Sequence, residues 1–157
     1  MHVFPQLRKL ENKYSLELAV VGVHSAKFTS ERDTDNLRKA VLRYELGHPV
    51  VNDSQFVVWR SFGCRAWPTL MFLDPQGMVI GKHEGEISFD QFDTLLGQMV
   101  REFDERGILD RTPLNHRLEV EDAPGLSFPG KVLADEASGR LFIADSNHNR
   151  IVVATLE

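Results

Sequence analysis

Cysteine is almost missing from this sequence: Cys64 is the only one in 157 residues. A single thiol excludes an internal disulfide and a cysteine-rich zinc site. Long apolar runs are missing too, and none approaches the roughly 20 residues that a membrane-crossing helix needs. Basic residues are in the minority, 18 Lys and Arg against 23 Asp and Glu, for a net charge of −5. That balance leaves no electrostatic footprint for nucleic acid. The opening stretch MHVFPQLRKLENKY lacks a basic segment followed by an apolar run, so it is not a secretory leader. A cytoplasmic location is the default expectation, to be revised if an export signal belongs upstream. Neither a glycine-rich phosphate loop nor a Gly-x-Ser-x-Gly elbow occurs. The six histidines are scattered. His24 precedes a serine and His48 a proline, and no pair has metal-ligand spacing, so neither a metal nor another cofactor is expected.

What is present is the composition of a folded, soluble protein, 42% hydrophobic and 26% charged, with room for one domain and the edge of another. Val3, Leu7, Leu10 and Tyr14 recur on one face, which predicts a helix over 3–14 with Pro5 in its first turn. LELAVVGVH reads as a buried strand, centred on 19–24. A second helix is expected within 28–47, with Ser30, Asp33 and Thr34 as possible caps, Leu37, Val41 and Tyr44 on one face, and Gly47 as its stop. HPVVND allows only a brief extended piece, and SQFVVWRSFG a short helix closed by Gly63. The turn Asp74-Pro75-Gln76-Gly77 joins two apolar runs into an antiparallel hairpin. A last helix over 87–103 opens with a capping box, Ser88 and Gln91. It buries Phe92, Leu95, Leu96, Met99 and Phe103. Glu84, Glu86 and Asp90 read as a solvated acidic edge.

After residue 105 two prolines and a polar texture predict a linker, and three short strands follow at 131–134, 141–144 and 151–155. The expected organisation is α/β, with domains at 1–104 and 126–157 and a linker over 105–125.

The segments AVVGVHS, NLRKAVLRYELGHPVVND, FGCRAWPT and LMFLDPQGMVIGKHEG resemble the thioredoxin fold, in the variety shared by thiol-specific antioxidant and TlpA-type proteins. The resemblance implies a cis bond at Trp67-Pro68 and a substrate-facing loop of Ala66, Trp67, Pro68 and Thr69. That loop would offer its backbone to a protein disulfide or an extended peptide, as an added strand. It also implies a Cys-x-x-Cys turn and a central strand, which this chain lacks; Met1-His2 would match the first helical residues after that turn. Two strands would then keep unpaired edges, and self-association through them is expected. Cys64 reads first as a buried structural thiol. A reactive role would need a cationic, partly exposed setting.

LFIADSNHNRIVVATL resembles an NHL repeat, less than one blade of a β-propeller. Asp145, Asn147, Asn149 and Arg150 form its turn, Arg150 reaching back to Asp145. Together the resemblances imply a thioredoxin-like fold without its first strand and dithiol turn, with a partial blade appended. Two functions remain open. One is a thiol-disulfide oxidoreductase or antioxidant-type NHL-repeat protein whose redox dithiol lies outside this chain, which would itself be inactive in dithiol turnover. The other is a non-catalytic interaction module using the same groove and propeller. Neither nucleic acid nor a membrane is an expected partner.

Overall fold

The structure is a computed structural model that describes residues 3–114 and 125–155. Met1-His2 and residues 115–124 of the expected linker lie outside the described residues. The chain divides into two units, Met1–Leu37 with Leu46–Leu118, and Arg38–Glu45 with Glu119–Glu157.

In the first unit the apolar stripe of the opening segment forms helix α1, Val3–Lys13. Its Leu10 is 1% exposed. Strand β1, Gly22–His24, is much shorter than the expected run. Among the described residues its ladder is parallel, to β2 at Val50–Asn52, in the register Gly22 to Val50 and His24 to Asn52. A three-residue partner supports a three-residue strand, so residues 18–21 remain without a ladder.

The expected second helix splits into a 3-10 turn, Thr29–Arg32, and helix α2, Thr34–Arg43. Of the three offered caps, Asp33 accepts the Asn36 amide at 3.0 Å. The helix ends before Gly47, because Glu45 has already turned left-handed, with φ of 49°.

Helix α3, Val57–Ser61, closes at Gly63, whose φ is 59°. Strands β3, Thr69–Leu73, and β4, Val79–Glu84, pair antiparallel, with a register shift between Phe72 and Leu73. Their turn is tied by Gly77 N–H to the Asp74 carbonyl at 2.9 Å. The Asp74 carboxylate also accepts the amides of Gln76 and Met78.

Helix α4, Phe89–Glu105, makes no side-chain cap at Ser88, so the expected capping box does not form there. The chain enters that end through the Ser88 carbonyl, which accepts the Phe92 amide. Leu10, Ile87, Phe92 and Leu96 form the core, with Leu7, Leu70, Phe72 and Met99 packed against it. Leu95 is 40% exposed instead of buried, because the stripe of α4 runs through positions 92, 96, 99 and 103 and turns position 95 outward. Past α4, the Arg111 side chain binds Asp104 at 2.7 Å and Glu17 at 3.0 Å, so the start of the expected linker is fastened down.

In the second unit β5, Pro129–Asp135, β6, Arg140–Asp145, and β7, Arg150–Thr155, form an antiparallel sheet in that order. Two successive rungs are apolar, Val132–Ile143–Val152 and Leu133–Phe142–Val153. Neighbouring rungs face opposite sides, so both faces of this sheet carry an apolar row. Arg43 lies over the Phe128 ring, 5.7 Å from its centroid.

Candidate functional site

Asp53 follows β2 directly, and its placement decides the local architecture. Four residues on, the chain begins a helix, whose first amides find no acceptor within the helix itself. The Asp53 carboxylate takes that role. Oδ1 accepts the Val58 amide at 3.0 Å, and Oδ2 accepts the Trp59 amide at 2.9 Å. Oδ2 also accepts the Ser25 hydroxyl at 2.8 Å, from the residue just after β1. Asp53 is only 4% exposed. Burial alone would push its carboxyl up, but the Trp59 amide, the Ser25 hydroxyl and the Val58 amide outweigh it and hold the carboxyl below its usual range.

The loop over 66–69 sits against this hub. The Trp67-Pro68 peptide bond is cis. The Trp67 indole N–H donates to the Ser25 carbonyl at 2.9 Å. Its ring stacks on Trp59, with centroids 4.1 Å apart and planes 27° apart. Phe56 meets Trp59 edge-on at 6.0 Å. Even so, Trp67 stays 50% exposed. The Thr69 hydroxyl donates to the Ala66 carbonyl at 2.7 Å, and the Pro68 carbonyl accepts the Gly85 amide at 2.9 Å. The structure therefore brings Ala66, Trp67, Pro68 and Thr69 together as one tied turn, with an indole standing at the surface. Such an indole offers a large apolar body whose polar end is already satisfied.

Cys64 is half-buried, not fully enclosed as expected. Its amide donates to the Trp59 carbonyl at 3.0 Å, closing α3. It lies in the irregular stretch after Gly63, where nothing forces a side chain into the core. Elsewhere in this unit, His48 Nδ1 lies 2.9 Å from Glu11 and His24 Nε2 lies 3.1 Å from the Glu31 carbonyl. Among the described residues no group of three or more His, Cys, Asp or Glu side chains could hold a metal ion.

The second unit has a hub of its own. Asp145 is 0% exposed. It accepts the Arg150 Nε–H and bonds His148 Nδ1, both at 2.7 Å, and takes the Ser127 amide at 2.6 Å. Burial would raise its carboxyl, but His148, the Ser127 amide and Arg150 hold it down at about 2. Arg150 also donates to the Gly125 carbonyl at 2.9 Å. Asn149 takes the left-handed turn position, with φ of 50°, and the Asn147 amide donates to the Ser127 carbonyl. Asp145, Asn147, Asn149 and Arg150 thus share one turn, and its contacts hold a closed structural knot.

Sequence reasoning missed Asp53, Ser25 and Trp59 in the first unit, and Ser127 and His148 in the second. An aspartate just ahead of a short helix was the available signal for the first group. Ser127 carried none, since it contributes a main-chain amide.

Residues 1–79 match a family described as thioredoxin-like. The chain is 46% identical over 154 residues to Protein SUPPRESSOR OF QUENCHING 1, chloroplastic, of Arabidopsis thaliana, covering 94% of this chain and 15% of that protein. It is 38% identical over 157 residues to NHL repeat-containing protein 2 of Homo sapiens, covering 98% of this chain and 22% of that one. Protein DipZ of Mycobacterium tuberculosis is 27% identical over 85 residues, 54% of this chain and 12% of its own length. The chain thus spans less than a quarter of the length of each of these relatives.

Proposed function

The chain belongs to the thioredoxin-like family, and from that membership we propose that it is part of a thiol-disulfide oxidoreductase or antioxidant-type NHL-repeat protein. In this reading residues 1–104 form the thioredoxin-like domain, and 126–157 belong to a propeller blade. The loop over 66–69 faces the substrate, an extended peptide next to its disulfide. Trp67 packs against the peptide, and the backbone beside Pro68 pairs with it as with an added strand.

One observation carries the reading: in a chain of this family, that loop holds a half-exposed indole fixed by both a hydrogen bond and a stack. Fixing it in advance lowers the ordering cost of binding. With Cys64 as its single cysteine, the chain brings a binding wall and no dithiol. The redox pair belongs to polypeptide outside these residues.

The test has two arms. With dithiothreitol as reductant, the 157-residue chain should reduce insulin no faster than buffer. Turnover abolished by Cys64→Ser would overturn the assignment of the dithiol. In the second arm, an extended peptide carrying S-methylcysteine should perturb tryptophan fluorescence in the wild type, and Trp67→Ala should abolish its binding. Equal binding by Trp67→Ala would remove the loop from the site.

A further inference from the structure

The two stacked indoles share an anchor. Trp59 is held through its main-chain amide, which donates to Asp53 Oδ2 at 2.9 Å. Trp67 is held through the Ser25 carbonyl at 2.9 Å, and the Ser25 hydroxyl donates to the same Oδ2 at 2.8 Å. We infer that Asp53 is the positioning residue of the 66–69 loop, its single carboxylate setting the Trp59–Trp67 stack and so the surface offered to an extended peptide. This rests on the function proposed above and adds the group that controls its site.

The chemistry explains why a carboxylate stands there. Three donors converge on Asp53, two main-chain amides and a hydroxyl, and only an acceptor at both oxygens satisfies them all. Asparagine has nearly the same shape but turns an NH2 group toward one side. Either the Val58 amide, or the Trp59 amide with the Ser25 hydroxyl, would then face another donor. A buried donor left without a partner forces local rearrangement. The donors concerned belong to the first turn of α3, which carries Trp59, and to Ser25, whose carbonyl holds Trp67, so these are the groups that would shift.

The chain has two tryptophans, and both belong to the stack. Its far-ultraviolet indole exciton couplet therefore reports this pair alone. In the full 157-residue chain, Asp53→Asn should collapse the couplet to the level of Trp67→Phe while the helical signal persists. Affinity for the S-methylcysteine peptide should fall about ten- to a hundredfold, the scale of one lost hydrogen bond to a charged group. An unchanged couplet in Asp53→Asn overturns the inference and leaves the binding loop standing. Should Asp53→Asn fail to fold, Ser25→Ala, which keeps both amide caps of α3, decides instead. A weakened couplet there supports the linkage, and a wild-type couplet refutes it. If the couplet collapses in Asp53→Asn but the wild type binds no peptide, Asp53 still positions the indoles and the functional reading is what fails.

Discussion

Phe72 of β3 stacks on Phe92 of α4, with ring centroids 5.7 Å apart and planes 25° apart. His83, from β4, meets the same Phe92 edge-on at 5.1 Å. One side chain thus fastens the hairpin to the last helix of its unit.

Phe92→Ala should therefore cost about 3–5 kcal/mol, the range for truncating a buried phenylalanine. That is a large share of the roughly 5–15 kcal/mol that holds a domain together. Phe92→Leu, which keeps most of the volume, should cost less than half as much. Urea denaturation followed by far-ultraviolet circular dichroism checks both. Equal midpoints for Phe92→Ala and wild type would show that the hairpin is held some other way.

Asp145 makes the second unit acid-sensitive in a defined window. Its folded carboxyl is held at about 2, below the roughly 3.9 of an unfolded aspartate. A depressed value contributes stability that is complete above the unfolded value and disappears as pH falls through the folded one. Protection of the Ser127 amide, which donates to Asp145, should accordingly drop between about pH 4 and pH 2. In Asp145→Asn that amide should be less protected at neutral pH and show no such step. Hydrogen exchange at Ser127 measures this directly. A step that survives in Asp145→Asn would assign the sensitivity to another acid.

Among the described residues β1 has one ladder partner and so does β3, while Val21, Val23 and Leu73 remain exposed. Open edges of that kind recruit other chains, and we expect the 157-residue chain to self-associate through them. Sedimentation velocity should show weight-average mass rising with concentration, and Val23→Lys should shift the distribution toward monomer. A concentration-independent monomer with a cooperative thermal transition contradicts this.

The hairpin was legible because Asp74-Pro75-Gln76-Gly77 encodes its own turn within four residues. Helix α1 was legible because four apolar side chains repeat at its period. Strand β1 was overestimated for a different reason. VVGV has the composition of a longer strand, but ladder length depends on a partner some thirty residues away. Leu95 and Ser88 show the same limit at the side-chain level. Each fits its pattern, and the packing of α4 leaves the one exposed and the other without a side-chain cap. At the candidate site, Trp67 and its neighbours stood out through an unusual local string. Asp53 did not, because its partners are a hydroxyl 28 residues earlier and two main-chain amides that any residue except proline would supply.

The apolar rungs on both faces of the β5–β7 sheet have a consequence of their own. Leu133 is 65% exposed and Val132, on the neighbouring rung, 60%, so each face of the sheet carries an exposed apolar side chain. Such a layer behaves like a middle leaf, cohesive only when covered on each side. Its melting should track the supply of covering layers by mass action, not the quality of its internal ladder.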